Sequence, residues 1–97
     1  MSTIILLEIQ VKPEAIDEMK AFLQKILPDT RAYDGCQGVD IYGNLDDTGN
    51  LVLYQRWNSR QHYETYLAWR TEIGTATQLR AMVASPPRIR YFERVDA

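Results

Sequence analysis

Three side chains able to do chemistry lie on one face of a predicted helix. Tyr63, Tyr66 and Arg70 are spaced by three and four residues, so a helix would place them on the same side. If that side lines a cavity, Tyr66 would donate a hydrogen bond to a bound oxygen atom, and Arg70 would stabilise a negative charge such as an enolate. The alternative is an amphipathic helix whose tyrosine rings lie in the core and whose hydroxyls reach its edge.

Three further residues are candidates for contact with a bound molecule. Trp57 ends a predicted strand and faces the same way as Leu53; the alternative is a core tryptophan that fills the gap between sheet and helices. His62 is a candidate general base, and its alternative is an exposed residue in the first turn of a helix. Phe22 belongs to the apolar stripe of the first predicted helix and is a candidate substrate contact.

Hydrophobic periodicity predicts the elements that position these residues. Strands are predicted at residues 3–11, 36–44, 51–57 and 88–95, main helices at 15–27 and 59–73, and a short helix at 75–84. Pro28 is expected to break or kink the first helix, with residues 29–33 adding a short further turn. Asn58 is predicted to cap the second helix, with Gln61 three residues later, and residues 45–50 form a turn.

The order β-α-β-β-α-β predicts an α+β, ferredoxin-like fold with one antiparallel sheet and helices on one face. Its 97 residues predict a single domain over residues 1–97. The other face of the sheet also carries apolar residues, and Tyr42 and Tyr54 are assigned to it. A second copy of the sheet is the simplest cover for this face, so we expect a homodimer.

Composition limits the classes of partner and cofactor. A net charge of −2 and a pI of about 5.3 argue against nucleic-acid binding. One cysteine, Cys36, leaves no intrachain disulfide and fits a reducing compartment. The N-terminus has no secretory pattern, and its apolar run over residues 4–7 is too short to span a membrane. We therefore expect a cytoplasmic protein with no membrane partner. No phosphate loop, dinucleotide fingerprint or zinc spacing is present, so no cofactor or metal is expected.

Two segments resemble the antibiotic biosynthesis monooxygenase domain family, part of the dimeric α+β barrel superfamily. Residues 30–36, TRAYDGC, look like the family's ending of the first helical segment. Residues 53–59, LYQRWNS, are similar to the family's strand end, and an aromatic-rich helix follows them. The first strand with its Lys12-Pro13 turn agrees as well, so the resemblance covers nearly the whole chain.

The resemblance implies a dimeric α+β barrel and oxygenation of electron-rich aromatics, such as quinols or anthrones, without flavin, haem or metal. It also implies that Trp57 is the family's site tryptophan, whose indole N–H would donate to a substrate oxygen. Two positions depart from the family pattern: Gln55 replaces a Glu, and Tyr66 replaces a common His. Haem-degrading relatives use a helix His as iron ligand, so Tyr66 argues against haem.

These observations predict a cofactor-independent monooxygenase whose substrates are a small electron-rich aromatic or quinol and molecular oxygen. The alternative is a non-catalytic small-ligand-binding or dimerisation module of the same fold, which Gln55 and Tyr66 favour slightly. The expected catalytic residues are Trp57, Tyr66 and Arg70, and the expected substrate contacts are Tyr63, His62 and Phe22.

Overall fold

The structure is a computed structural model that describes residues 2–97; residue 1 of the predicted domain lies outside this range. Within residues 2–97, apart from a 3-10 helix at Pro13–Ala15, the chain forms four strands and three α-helices. In chain order these are β1 Thr3–Gln10, α1 Ile16–Ala32, β2 Cys36–Asn44, β3 Asp47–Trp57, α2 Arg60–Glu72, α3 Thr75–Arg80 and β4 Arg88–Glu93. The predicted α+β, ferredoxin-like fold is confirmed.

The four strands form one antiparallel sheet in the order β2-β3-β1-β4. In the centre, Ile5 pairs with Gln55 and Leu7 pairs with Leu53. Side chains alternate between the two faces, and on β3 every second residue from Leu51 to Trp57 is buried. This alternation is the one that the sequence predicts.

Both long helices pack on the inward face of the sheet. One core cluster joins α1 to the strands and contains Ile9, Met19, Leu23, Leu27, Val39, Leu51 and Leu53. A second cluster joins α2 to β1 and β3 and contains Ile5, Trp57, Tyr63 and Tyr66. Within residues 2–97, no helix combines the length and apolar character needed to cross a membrane.

Helix α1 continues through Pro28, so of the two effects expected at this proline, a break or a kink, the break is wrong. Pro28 lacks an N–H group and leaves the Gln24 carbonyl without its helical donor. Gln24 and Pro28 are both exposed, so water can reach the site of the lost bond. Leu27 and Thr30 are buried on either side of the proline, and their packing keeps the helix intact to Ala32.

Several other boundaries differ from the sequence prediction, and three of these differences have a visible cause. Ser59 caps α2 in place of Asn58, because its Oγ accepts the His62 main-chain N–H at 3.1 Å. Strand β3 begins at Asp47, since the Asn44 side chain accepts the Asp46 N–H and closes a tight turn. Helix α3 ends at Arg80, because the chain beyond it forms a bridge between Val83 and Val11.

Gly35 joins α1 to β2 in a conformation that favours glycine. Its φ is +90°, and its main chain lies directly against the His62 ring. A Cβ atom at this position would lie 2.5 Å from His62 Cδ2. The Gly35 carbonyl also accepts the Asn58 N–H at 2.8 Å, which ties this turn to the start of α2.

We therefore expect Gly35→Ala to lower the free energy of unfolding by more than about 2 kcal/mol, through backbone strain and the clash with His62. Gly43→Ala is the matched control, because its added Cβ would meet Leu51 at an ordinary 3.8 Å. Urea unfolding of both variants measures the difference. Equal losses would contradict the close approach described for Gly35.

Candidate functional site

A cavity of about 170 Å³ lies between the inward face of the sheet and the three helices. Its apolar lining comes mainly from leucines and isoleucines of β1, β3, β4 and α1. Eight residues with polar groups also line it: Thr30, Gln55, Tyr63, Tyr66, Arg70, Thr71, Thr75 and Arg80. A largely apolar cavity with a few convergent polar groups is the usual form of a small-molecule site.

Helix α2 brings Tyr63, Tyr66 and Arg70 to this cavity together. All three are buried, and all three line it. Their common face, predicted from their spacing, therefore looks inward onto a cavity rather than only onto packed core. Thr71, one residue beyond Arg70, lies at the exposed end of the lining.

Arg70 is the centre of a buried hydrogen-bond network. Its Nε donates to the Tyr66 hydroxyl at 2.8 Å. Its Nη2 donates to the Ile26 carbonyl at 2.7 Å and to Thr30 Oγ1 at 3.0 Å. Thr30 Oγ1 and the Tyr66 hydroxyl are 2.6 Å apart and share a further hydrogen bond. The guanidinium thus holds α1 and α2 together through neutral acceptors.

This guanidinium has no opposite charge beside it. Arg70 is 5% exposed, and among the described residues no carboxylate oxygen lies within 4.0 Å of it. Its planar group also lies over the Trp69 ring, 4.7 Å from the ring centre. Aromatic faces attract cations, which offsets part of the cost of removing the charge from water.

Trp57 lies behind the cavity and does not line it. The indole is fully buried, and its Nε1–H donates to Gln55 Oε1 at 3.0 Å. The sequence-based expectation gave this N–H to a substrate oxygen, whereas the structure commits it to Gln55. An indole nitrogen can only donate, so this bond orients the amide: Oε1 faces Trp57, and Nε2 faces away from it.

Six aromatic rings form a continuous cluster around Trp57. The ring centres of Tyr66 and Tyr63 lie 5.0 Å and 5.6 Å from that of Trp57, and 6.0 Å from each other. Tyr33, Trp69 and Tyr91 extend the cluster towards the surface. Such pairs add stabilisation beyond their buried area, so Tyr63 and Tyr66 are firmly held at the edge of the cavity.

Burial dominates the electrostatics of Tyr63. Loss of water raises the pKa of its phenol far above the usual value, and the neighbouring Tyr91 and Tyr66 raise it further. A hydrogen bond with the Gln55 side chain opposes this change. Tyr63 is therefore a neutral hydroxyl at physiological pH and serves as a hydrogen-bonding group rather than as a base.

His62 and Phe22, both expected as substrate contacts, lie outside the lining of the cavity. His62 Nδ1 is 2.6 Å from Ser59 Oγ, and its ring borders a shallow surface depression with Tyr33 and Asp34. Phe22 is half-buried and packs against the α1 core cluster. Cys36 is half-buried as well, and burial raises the pKa of its thiol.

Thr30 lies at the centre of the Arg70 network and was not identified from the sequence, and neither were Thr71, Thr75 and Arg80 of the lining. Thr30 follows Leu23 and Leu27 at helical spacing, as a polar residue in an apolar stripe. Because a break was expected at Pro28, Thr30 was not assigned to the same helix face as Leu23 and Leu27. Gln55 was noted only as a departure from a family pattern, although it lines the cavity.

The family model for antibiotic biosynthesis monooxygenases matches residues 2–71. The chain belongs to the antibiotic biosynthesis monooxygenase family. It is similar to the proposed monooxygenase Rv0793 of Mycobacterium tuberculosis, with 36% identity over 69 residues, 65% of this chain and 67% of the relative. The solved structure of Rv0793 has a TM-score of 0.75 and 25% identity, and the match covers 100% of this chain and 98% of that one.

Other solved structures share the fold at lower identity. A conserved protein of Methanosarcina mazei Go1 has a TM-score of 0.89 and 16% identity, over 98% of this chain and 94% of that chain. A crystal structure of an antibiotic biosynthesis monooxygenase has a TM-score of 0.86 and 21% identity, over 99% and 100% of the two chains.

The two departures from the family pattern meet at this cavity. Gln55 and Tyr66 both line it, on the sheet and on α2 respectively. Each has a defined partner, because Gln55 accepts from Trp57 and Tyr66 accepts from Arg70. In this chain the cavity lining therefore carries an amide at position 55 and a phenol at position 66.

The raised pKa of Tyr63 predicts that the free energy of unfolding falls at alkaline pH. The unfolded chain releases a tyrosine proton near pH ~10, whereas the folded chain holds the Tyr63 proton to higher pH. The stabilisation is thus complete below about pH 10 and is lost as the pH rises towards the folded pKa. The free energy of unfolding of Tyr63→Phe should fall less between about pH 9 and about pH 11 than that of the wild type. Tyr42→Phe, at an exposed tyrosine, is the control and should follow the wild type.

Proposed function

We propose that this protein is a cofactor-independent monooxygenase that acts on a small electron-rich aromatic or quinol. The observation that carries the proposal is a mainly apolar cavity in which the buried cation Arg70 lies among hydroxyl and amide donors. Membership of the antibiotic biosynthesis monooxygenase family supports the reaction class. Apolar surroundings strengthen the attraction between Arg70 and a developing negative charge.

In the proposed reaction the substrate itself supplies the two electrons that reduce the second oxygen atom to water. The ionised phenol gives one electron to molecular oxygen, and the resulting radical and superoxide join through a new carbon–oxygen bond. The peroxide takes up a proton, its oxygen–oxygen bond breaks, and hydroxide leaves as the ring carbon loses its hydrogen as a proton. The products are a quinone and water. One oxygen atom stays in the product, and no external reductant is consumed.

Arg70 and Tyr66 would bind and polarise the substrate directly. The N–H groups of Arg70 would stabilise the oxyanion as charge moves towards oxygen, and the Tyr66 hydroxyl would donate to the same atom or to the peroxide. Tyr63 would contact the ring of the substrate. Trp57 would act through Gln55, since its indole N–H fixes the orientation of that amide.

A second function, a non-catalytic small-ligand-binding module, is favoured by one feature of the lining. Among the described residues that line the cavity, there is no Asp, Glu or His to accept a proton from a substrate. A site without a base can bind an aromatic molecule and leave it unchanged. Oxygen consumption separates the two functions.

Oxygen uptake by metal-stripped protein with a panel of quinols and hydroxylated single-ring aromatics tests the monooxygenase. We expect uptake above autoxidation, and a loss of roughly hundredfold in kcat for Arg70→Gln, which removes the charge opposite the oxyanion. Tyr66→Phe and Trp57→Phe should each reduce kcat by a smaller factor. Arg60→Gln is the matched control, because Arg60 lies on the same helix but is exposed and pairs with Glu64.

Circular dichroism spectra must first show that each variant is folded. Uptake that equals autoxidation for every compound, together with quenching of tryptophan fluorescence on binding, would replace the monooxygenase with the binding module. Uptake that is unchanged in Arg70→Gln would place the reaction elsewhere on the protein.

We also propose that the outer face of the sheet pairs with a second copy of this chain. Apolar side chains extend across this face on three strands, namely Ile4, Leu6, Tyr42, Val52 and Tyr54, and Phe92 on β4 adds a ring that is 42% exposed. The Arg90 Nε–H lies buried on the same face without a hydrogen-bond partner in the described part of the chain. An apolar sheet face of this extent is ordinarily covered in the functional protein.

Sedimentation of the purified protein tests this pairing. The wild type should sediment as a dimer, and Val52→Glu should sediment as a folded monomer, because a charge is placed at the centre of the face. Ile73→Glu is the control at an apolar residue, 50% exposed, at the end of α2. A monomeric wild type, or dissociation by Ile73→Glu alone, would contradict the proposal.

A further inference from the structure

The size of the cavity limits the ring system that fits. Its volume is about 170 Å³. An engineered apolar protein cavity of about 150 Å³ holds one benzene molecule. One aromatic ring with one or two small substituents therefore fills this cavity. Three fused rings exceed this volume and would not be enclosed by the cavity.

The charge on the cavity lining has one sign. Arg70 and Arg80 both line the cavity, and the lining within residues 2–97 includes no carboxylate, imidazole or thiol. A buried cation without a counter-charge is costly to maintain, and a bound anion removes that cost. The lining thus fits a ligand with a negative charge.

Counting protons shows which hydrogen bonds remain for the ligand. Arg70 uses Nε–H and both protons of Nη2 on Tyr66, Thr30 and the Ile26 carbonyl, and this leaves the two protons of Nη1. The hydroxyls of Thr30 and Tyr66 share one hydrogen bond, so one of their two protons is used and the other is free. Gln55 Oε1 accepts from Trp57, and the Gln55 side chain also has a hydrogen bond with Tyr63. The Arg70 network therefore offers a ligand at least three free donors: two Nη1 protons and one hydroxyl proton.

We infer that the ligand of this cavity is a single-ring aromatic that binds as its oxyanion, with the ionised oxygen on Arg70. The inference rests on the site of the proposed function and specifies its substrate class. Because the lining has no base, the substrate proton leaves to water. The substrates are then phenols acidic enough to ionise in solution, or made so by the field of Arg70.

Spectrophotometric titration of para-nitrophenol tests this inference without any turnover. The phenolate absorbs in the visible range and the phenol does not, so the spectrum reports the ionisation of the bound ligand. Nitrophenol is electron-poor and is not consumed by oxygen. We expect its pKa to fall by roughly one unit or more on binding, which corresponds to a tenfold or larger preference for the anion.

Three further ligands and two variants define the recognised group. Para-nitroanisole, a neutral molecule of nearly the same shape, should bind at least tenfold more weakly, and anthracenol, with three rings, should not compete. Para-nitrobenzoate distinguishes a carboxylate from a phenolate: we expect it to compete less well, because its charge lies one bond further from the ring. Arg70→Gln should abolish the pKa shift, and Arg60→Gln should retain it.

Several outcomes would overturn the inference. These are equal binding of nitrophenol and nitroanisole, no binding of nitrophenol by the wild type, tighter binding of nitrobenzoate than of nitrophenol, or displacement of nitrophenol by anthracenol. The ligand comparisons use only the wild type, so they hold even if Arg70→Gln fails to fold. Preferential binding of the anion with no oxygen uptake from any quinol would refute the monooxygenase and leave this inference intact. Oxygen uptake without preferential binding of the anion would refute this inference and leave the monooxygenase intact.

Discussion

The buried guanidinium of Arg70 is the interaction on which the geometry of the cavity depends. Removing a cation from water costs several kcal/mol, and a nearby carboxylate is the usual compensation. Here the compensation comes from a main-chain carbonyl of α1, two hydroxyls and an aromatic face. These partners belong to α1 and α2, so the same bonds that solvate the charge set the distance between the two helices. A carboxylate beside Arg70 would neutralise its guanidinium, and Arg70 would then present no net positive charge to a ligand.

The aromatic cluster gives the network a rigid support on the side of the sheet. Tyr66 takes part in both structures, because its ring packs on Trp57 and its hydroxyl accepts from Arg70. Trp57 in turn fixes the Gln55 amide at the floor of the cavity. Trp57 is thus close to the cavity but affects it only through Gln55. Trp57 packs in the core, whereas Gln55 lines the cavity.

The sequence predicts the fold well because periodicity reports burial directly. The alternation along β3 and the spacing of Tyr63, Tyr66 and Arg70 each correspond to one face in the structure. The errors have local causes. Pro28 disfavours a helix by itself, but burial of its neighbours outweighs the single lost hydrogen bond. The direction of the Trp57 N–H depends on a hydrogen bond with Gln55, and no pattern of residue types reveals that choice.

The cavity draws on two parts of the chain that differ in their relation to the family. The charge network on α1 and α2, with Gln55 and Arg70, falls within residues 2–71, the segment that the family model matches. Thr75, Leu79 and Ile89, which also line the cavity, follow that segment. Substitutions at these three positions can reshape the cavity without touching the hydrogen bonds of Arg70. The space offered to a ligand can therefore change while the buried charge keeps its position.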